Sequence, residues 1–321
     1  MQSQARLHLG FLDLHGYLGR QYGSLGVAID AFATCLTVAS AEEDLIRAID
    51  PKKIMAIRQR FFQTLGAHIP EKRRTLTIDI QQQIPEHAGL GSGTQLALCL
   101  GTALCRLYEI PATTHEIAMQ LGRGQRSGIG ISTFEHGGFV VDGGSDDPTR
   151  PPPLLVQMAF PQSWRILLVM DTQHQGVHGP QERLAFQQLP AFPEASAQRI
   201  CHLTLMKLLP ALAERRCRDF GEAVTEIQSV LGQHFSPAQG GRPYTSDAVA
   251  QLLHYAVQAG VPGIAQSSWG PTGCIFVDSE IQARQLQAEL EQFAQVKRLS
   301  SVQIRKTSGY NHGASIEIHD D

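Results

Sequence analysis

The stretch Pro85-Glu86-His87-Ala88-Gly89-Leu90-Gly91-Ser92-Gly93-Thr94 places three glycines within five positions. The apolar run that follows, to Tyr108, predicts a long buried helix beginning where the glycines end. Glycines allow a close approach of backbone to ligand, and the free N–H groups of a helix's first turn attract anions. The stretch therefore predicts a phosphate-binding loop, the alternative being a tight turn without a ligand. Its predicted binding residues are Gly89, Gly91, Ser92, Gly93 and Thr94.

The spacing of these glycines excludes two common phosphate-binding motifs. A P-loop would need Gly-Lys-Ser/Thr, which is missing here. The dinucleotide fingerprint needs Gly-x-Gly-x-x-Gly, whereas this chain has Gly89-x-Gly91-x-Gly93. The loop thus belongs to another class of phosphate site.

Composition describes an ordinary globular enzyme expected in the cytoplasm. Of the 321 residues, 42% are hydrophobic and 18% charged, with a formal net charge of −3, so neither disorder nor a nucleic-acid or membrane surface is indicated. No apolar run approaches the roughly 18 residues of a membrane span, and no signal-peptide pattern opens the chain. The six cysteines include no Cys-x-x-Cys pair, which predicts reduced thiols rather than a zinc site or a redox pair.

Periodicity predicts an α+β fold of two domains, each a mixed or antiparallel sheet with helices packed on it. The segment Gly143–Pro153 contains four prolines and is the predicted linker, dividing the chain into domains 1–150 and 151–321. The predicted strands are Arg6–Phe11, Val27–Ile29, Cys35–Ser40, Thr75–Gln82, Arg165–Met170, Gly273–Val277, Val302–Arg305 and Ala314–His319. The predicted helices are Ile54–Leu65, Thr94–Tyr108, Thr113–Leu121 (with a capping box at Thr113), Pro180–Gln188, Glu194–Glu214, Asp219–His234, Ser246–Gln258 and Glu280–Gln295.

The loop resembles the central Pro-x-x-x-Gly-Leu-Gly-Ser-Ser motif of the GHMP kinases, the galactose, homoserine, mevalonate and phosphomevalonate kinases. This resemblance implies their two-domain fold and a loop that cradles phosphates. Two departures argue against a kinase. Gly130 stands where mevalonate-kinase-like members carry the aspartate that takes the proton of the substrate hydroxyl, and Ser267–Gly273 replaces their C-terminal glycine motif.

With both departures, the sequence resembles one branch of the superfamily, the β-ribofuranosylaminobenzene 5′-phosphate synthases. The resemblance runs from about residue 5 to the C-terminus, and it implies condensation of 4-aminobenzoate with phosphoribosyl pyrophosphate, losing CO2 and pyrophosphate, in methanopterin synthesis. The matching segments are Arg6-Leu7-His8-Leu9 with Asp13 to Arg20, Gly23-Ser24-Leu25-Gly26, Gly122-Arg123-Gly124 with Ser127 to Gly130, Glu135 to Phe139, and Ser268-Trp269-Gly270-Pro271.

The resemblance, together with the chemistry of such a reaction, suggests roles for charged residues. Arg6, Arg123 and Arg126 are expected on phosphate oxygens with Mg2+, and Arg20 is assigned to catalysis, although a lone arginine is usually a solvated surface charge. Asp13 is the first choice for stabilising the cationic sugar, its alternative being a helix or turn cap. Glu135 is the second choice. Asp142 lacks the paired acids of ordinary phosphoribosyltransferases and is set aside.

The remaining site residues are assigned to substrate binding. His174 and His178 are four apart, yet the glycines and proline around them make a helical metal pair improbable, so a substrate-binding loop is expected and metal ligands are left unknown. Trp269 is either an aromatic plate for 4-aminobenzoate or a core residue. His8 either lines the cleft or is a satisfied buried histidine. Ser24 and Gly270 complete the set.

Two rival hypotheses accompany this one. An ATP-dependent small-molecule kinase is the rival among enzymes, and the missing aspartate at position 130 is the feature against it. A catalytically silent ligand-binding protein is the rival from another class, which turnover by the purified protein would exclude. The expected partners are small-molecule substrates, with no nucleic acid and no membrane, and a homodimer is left open.

Overall fold

Two long paired strands form the centre of the N-terminal half. In the computed structural model, which describes residues 1–176 and 179–318, β1 (Gln2–Asp13) runs antiparallel to β2 (Tyr22–Ser40). Strand β1 buries Ala5, Leu7 and Leu9 in the core, so that Arg6 and His8 lie on its other face. The strand predicted over Arg6–Phe11 is confirmed. The two strands predicted over 27–29 and 35–40 are parts of the single strand β2.

Strand β2 is the hub of the first sheet. It pairs antiparallel with β4 (Leu76–Gln82) and β5 (Phe139–Asp142), and β5 pairs with β6 (Leu154–Met158). The short strand β3 (Leu45–Arg47) runs parallel to β4. A core on one side of this sheet is formed with α1 (Pro51–Gln63), α2 (Ser92–Leu107), α3 (Thr114–Gln120) and α4 (Ile129–His136). The predicted capping box at Thr113 is present.

The second sheet is antiparallel in the order β10, β7, β9, β8. Its strands are β7 (Arg165–Asp171), β8 (Ile264–Gln266), β9 (Gly273–Val277) and β10 (Val302–Thr307). Strand β7 is buried on both faces: Leu167 and Val169 pack with α9 (Asp247–Gln258) and α10 (Glu280–Val296), while Ile166 and Leu168 face the first sheet's core.

Between the two sheets lies a layer of helices that both halves share. It contains α5 (Gly179–Gln188), α6 (Glu194–Leu203), α7 (Leu209–Ala213) and α8 (Cys217–Phe235). One continuous core joins Leu7 and Phe139 of the first sheet to Phe220 of α8 and Phe276 of the second sheet. The predicted α+β class, with a helix-covered mixed or antiparallel sheet in each half, is confirmed.

Three details differ from the sequence-based expectation or extend it. The strand predicted over Ala314–His319 is not formed by residues 314–318, where Ser315 makes only an isolated bridge with Gln2. His319 lies outside the described residues. The helix predicted over Glu194–Glu214 contains a π-helical turn at Thr204–Leu208. The boundary at residue 150 stays a prediction, since β6 beyond it still pairs within the first sheet. Among the described residues, no helix is long and apolar enough to cross a membrane.

Asp142 is a buried carboxylate that ties the end of β5 to the start of α4. Its oxygens accept hydrogen bonds from the N–H groups of Gly128 (2.8 Å) and Gly144 (3.0 Å). Burial raises the pKa of this carboxyl to about 6, against the opposing effect of those hydrogen bonds. These contacts indicate that Asp142 has a structural role.

The raised pKa of Asp142 predicts a pH dependence of stability. Because the folded carboxyl holds its proton more tightly than the unfolded one, folding is favoured by acid, and this contribution is lost as the pH rises from about 4 to about 6. Replacing Asp142 with Asn removes this titration. We therefore expect the free energy of unfolding, measured by urea denaturation, to fall less steeply between pH 4 and 6 in Asp142→Asn than in the parent. Parallel curves would contradict the assignment.

Candidate active site

The glycine loop (Gly89–Thr94) presents unpaired backbone donors at the start of α2. Gly91 is the N-cap residue and has a left-handed backbone with φ of +84°. Its carbonyl accepts the N–H groups of Thr94 (3.1 Å) and Gln95 (3.0 Å). Within residues 1–176 and 179–318, the N–H groups of Ser92 and Gly93 find no acceptor. Two donors at a helix N-terminus are therefore free for an anion.

Arg6 lies against this loop. Its Nη1 donates to the carbonyl of Gly89 (2.8 Å), and a Cβ added to Gly91 would come within 3.0 Å of its Nε. The buried Nε has no hydrogen-bond partner among the described residues. Burial lowers the pKa of the guanidinium to about 10, with the nearby Glu182 acting in the opposite sense. A poorly solvated positive charge with an open donor is suited to bind an anion.

Arg123 approaches the same loop from another side. A Cβ added to Gly93 would lie 3.4 Å from its Nη1. Burial lowers the pKa of this guanidinium also, and its Nε is buried without a partner in the described part of the chain. Arg6 and Arg123 thus lie on either side of the glycine loop, and the phosphate-binding role expected for them stays a prediction.

A turn from the C-terminal half, Ser267–Gly270, locks β1 to the loop. The Ser267 hydroxyl donates to the Gly89 carbonyl (2.8 Å) and accepts the N–H of His8 (3.0 Å), and the N–H of Ser268 donates to the His8 carbonyl (3.0 Å). A Cβ at Gly89 would lie only 2.3 Å from the Ser267 carbonyl oxygen, which explains why a glycine is required there. The turn therefore brings both halves of the chain into one site.

Trp269 belongs to an aromatic cluster beside this turn. Its ring centroid lies 4.7 Å from that of Phe235 and 5.4 Å from that of Phe186. Arg126 stacks on Phe186 at 4.8 Å and forms an ion pair with Glu182 (3.1 Å). Trp269 is thus buried and packed, and it also forms part of a cavity wall, while its role as an aromatic plate for the substrate stays a prediction.

The cavity has a volume of about 30 Å3 and includes His8 in its wall. His8 is only 4% exposed, and neither of its ring nitrogens has a hydrogen-bond partner among the described residues. Burial, assisted by the charges of Arg6 and Arg126, lowers the pKa of the imidazole to about 3. His8 is therefore a neutral imidazole at physiological pH, and the structure leaves it unsatisfied.

Gly130, near the start of α4, faces the first turn of α2. A Cβ at this position would lie 2.7 Å from the methyl group of Thr94. Thr94 thus occupies the space into which a larger residue 130 would project. An aspartate would require Thr94 to move.

Two predicted catalytic residues make contacts away from the loop. Arg20 is exposed, and its guanidinium donates to the carbonyls of Gly143 and Gly144 (both 2.9 Å) and pairs with Asp146 (3.0 Å). Glu135 lies 3.6 Å from the His115 ring nitrogen and 3.8 Å from that of His136. Neither side chain is brought to Arg6 or Arg123 by these contacts, so their catalytic roles stay predictions.

The other predicted residues are distributed as follows. Ser24 is fully buried opposite Asp142 in the sheet, and Gly270 has φ of +68° in a turn packed on Thr245. His174 is exposed in the loop after β7. His178 lies outside the described residues.

Asp13 ends β1 and closes a turn, since one of its oxygens accepts the N–H groups of His15 (2.7 Å) and Gly16 (3.1 Å). Seven residues of extended strand, about 23 Å, separate it from Arg6. Its role as a sugar-cation stabiliser stays a prediction that Asp13→Asn tests, because Asn preserves the turn. A fall in kcat of about a hundredfold would support that role, whereas a value within a few-fold of the parent would leave the turn as its function.

Several residues in the cavity wall or packed against it carried no recognisable signal in the sequence. Gln228 of α8 donates to the Leu9 carbonyl (2.7 Å), and Phe186 and Phe235 pack on Trp269. They come from helices whose periodicity indicates only burial. Their convergence on β1 depends on the shared middle layer, which no local pattern reveals.

Because Mg2+ was expected with the phosphates, the side chains that could coordinate a metal ion bear on this expectation. Among the described residues no group of three His, Cys, Asp or Glu side chains could hold a metal ion. Glu182 pairs with Arg126 (3.1 Å) and lies close enough to Arg6 to affect its charge. The residues fit Mg2+ only if it arrives with phosphate oxygens as its main ligands, which is how Mg2+ is commonly bound.

Comparison with known proteins identifies the family. The model of the GHMP kinases N terminal domain matches residues 52–138, and that of the GHMP kinases C terminal domain matches residues 208–295. The chain is 31% identical to the β-ribofuranosylphenol 5′-phosphate synthase of Methanocaldococcus jannaschii over 88% of this chain and 90% of that protein. It is 30% identical to the synthase of Archaeoglobus fulgidus over 99% of both.

Among solved structures, L. major mevalonate kinase in complex with R-mevalonate is similar, with a TM-score of 0.68 and 14% identity over 98% of this chain and 96% of that one. This likeness concerns the fold. The relatives, by contrast, match in sequence along nearly the whole chain, glycine loop and C-terminal turn included. The chain therefore belongs to the β-ribofuranosylphenol 5′-phosphate synthase family, within the GHMP kinase superfamily.

Proposed function

We propose that the chain is a decarboxylating phosphoribosyltransferase that condenses phosphoribosyl pyrophosphate with 4-aminobenzoate, releasing CO2 and pyrophosphate. The similarity to synthases over up to 99% of the chain carries this proposal. The relatives' name specifies a ribofuranosylphenol product, in which the ring bears a hydroxyl group. We therefore treat 4-hydroxybenzoate as the alternative acceptor.

The anion site at the loop supports the pyrophosphate half of this reaction. Free N–H groups at Ser92 and Gly93 and the guanidinium groups of Arg6 and Arg123 converge there. Charge-assisted hydrogen bonds of this kind stabilise phosphate oxygens, and they strengthen as the leaving group gains charge. Bound Mg2+ would supply further neutralisation of the pyrophosphate.

The reaction itself must form one carbon–carbon bond. The bond between the anomeric carbon and pyrophosphate breaks, and the electron pair leaves with pyrophosphate. The ring carbon that bears the carboxylate attacks the cationic sugar, with electrons supplied by the para amino or hydroxyl group. The carbon–carboxylate bond then breaks, CO2 departs, and its electron pair restores the aromatic ring. The protein needs to bind and orient the two substrates and to exclude water. The buried cleft at β1 is suited to this.

The kinase alternative is disfavoured by the surroundings of Gly130. A hydroxyl acceptor needs a base, and an aspartate at 130 would collide with Thr94, 2.7 Å from the added Cβ. His8, two residues from Arg6 on β1, has a pKa of about 3, which makes it a weak base. The site is thus better suited to stabilise a leaving anion than to deprotonate an alcohol.

An assay that follows both products tests the proposal. With carboxyl-labelled 4-aminobenzoate, we expect labelled CO2 only when phosphoribosyl pyrophosphate is present, and pyrophosphate in equal amount. ATP should not replace phosphoribosyl pyrophosphate. Labelled 4-hydroxybenzoate, run in parallel, identifies which para substituent is preferred.

Each other result has a distinct meaning. Pyrophosphate without CO2 would indicate an ordinary N- or O-ribosyl transfer. ATP-dependent phosphorylation of a hydroxyl substrate, without CO2, would establish the kinase alternative, and no turnover with any substrate would favour a silent binding protein. The cytoplasmic location and the homodimer are proposals of the same kind, the latter to be tested by light scattering.

A further inference from the structure

His8 is the open polar group of the cavity beside β1. The amide side chains that share the wall already have partners: Gln228 donates to Leu9 and accepts the N–H of Gln266, while Gln266 accepts the Thr245 N–H and donates to Gln239. The His8 imidazole, buried to 96%, has two nitrogens without partners in the described chain. An unsatisfied buried polar group destabilises the protein by about 1–3 kcal/mol, so this wall is built for a ligand or a water.

The size of the cavity limits what can enter it. A cavity of about 150 Å3 is needed to hold a benzene ring, and about 10–15 Å3 suffices for one water-sized group. The volume here is about 30 Å3. It therefore admits an amino or hydroxyl group, while the ring that carries it must remain at the opening. Phe11, Phe235 and Trp269, which also line the cavity, offer aromatic surfaces for it to pack against.

The position of His8 on β1 fixes the orientation of such a ring. Arg6 and His8 lie on the same face of the strand, about 7 Å apart. Phosphates bound at Arg6 place the anomeric carbon on that side, so the reacting ring carbon must face Arg6. The para substituent, at the opposite end of the ring, then points away from the loop, toward His8.

We propose that this cavity binds the para substituent of the aromatic acceptor, with the His8 imidazole hydrogen-bonded to its amino or hydroxyl group. The inference rests on the proposed function and names the residue that selects its acceptor. A neutral imidazole has one donor and one acceptor, matching either group. The nearby charges of Arg6 and Arg126 disfavour a cationic substituent. A hydrogen bond accepted by His8 would also favour electron release from the substituent into the ring.

The test compares 4-aminobenzoate with 4-methylbenzoate, which has the same shape without hydrogen-bonding capacity. Binding is followed by quenching of tryptophan fluorescence in the presence of inorganic pyrophosphate, and KM values are measured separately. We expect the parent to bind the amino compound at least tenfold more tightly, because the methyl compound leaves His8 unpaired. In His8→Leu this preference should disappear, while KM for phosphoribosyl pyrophosphate changes less than about twofold. His8→Gln, which keeps a donor and an acceptor, should retain part of the preference.

His234→Leu is the matched control, since His234 contacts Phe235 of the cavity wall but is not itself part of that wall. It should keep the full preference. An unchanged preference in His8→Leu would overturn the proposal and leave His8 a water-satisfied core residue. If His8→Leu does not fold, His8→Ala takes its place, and an unchanged preference there would overturn the proposal. Failure of the proposed function is seen separately, as absence of CO2 release by the parent protein.

Discussion

Gly91→Val is expected to weaken the binding of phosphoribosyl pyrophosphate by at least about a hundredfold in a protein that still folds. Residue 91 has φ of +84°, which a β-branched side chain rarely adopts, and its Cβ would meet the Arg6 guanidinium at 3.0–3.1 Å. Arg6 would have to move, and the first turn of α2 would shift with it. Loss of two charge-assisted hydrogen bonds, about 1.5–3 kcal/mol each, corresponds to this factor. Isothermal titration calorimetry measures it directly.

Gly260→Val separates this effect from backbone strain. Gly260 has φ of +86°, nearly the same as Gly91, but an added Cβ there meets nothing within 4 Å. Both variants should lose similar stability in thermal unfolding, and Gly260→Val should bind like the parent. Equal affinity in folded Gly91→Val would mean that the loop is only a strand-to-helix turn.

The loop could be predicted from the sequence because its signal is local. Three glycines before an apolar run specify a tight turn and a helix start, and α2 begins at Ser92, two residues before the predicted Thr94. Arg6 and Arg123, predicted to bind phosphate, lie beside the loop, and their phosphate-binding role stays a prediction. Each arginine stands in a segment that resembles one family over several residues. Such a resemblance implies that the local structure of the family is shared as well.

Arg20 and Glu135 show where such inference reaches its limit. The partners of Arg20 lie 123 and 124 residues further along the chain, and those of Glu135 include His115 on another helix. A motif identifies a residue type at a position, whereas the direction of a long side chain is decided by distant backbone. The same reason explains why Asp13 could not be separated from a turn residue until its N–H donors were known.

The cavity beside β1 could not be predicted from the sequence, for a different reason. The cavity wall combines β1, α8 and the turn before β9, three elements whose meeting depends on the middle helical layer. In the sequence, His8 is a histidine between two leucines, which fits a satisfied core residue equally well. Only the packed structure shows that neither of its nitrogens has a partner in the part of the chain that is described.

Arg6→Met is expected to reduce kcat/KM for phosphoribosyl pyrophosphate by at least about a hundredfold without lowering stability. Because burial lowers the pKa of the Arg6 guanidinium to about 10, the folded state disfavours this charge at every pH below 10. Methionine removes that cost and gives up one hydrogen bond, to Gly89, of about 1 kcal/mol. The free energy of unfolding should therefore stay constant or rise while catalysis is lost. Steady-state kinetics and urea denaturation measure the two effects.

Arg305→Met controls for the loss of one positive charge. Arg305 lies over Phe32 on the surface, 4.3 Å from the ring, and its replacement should leave kcat/KM within about twofold of the parent. Arg6→Lys keeps a charge but not the forked donors, so it should recover only part of the activity. Nearly full activity in Arg6→Met would contradict the anion site. A large loss of stability would instead show that Arg6 serves the fold, because a buried charge kept for function is expected to cost stability rather than supply it.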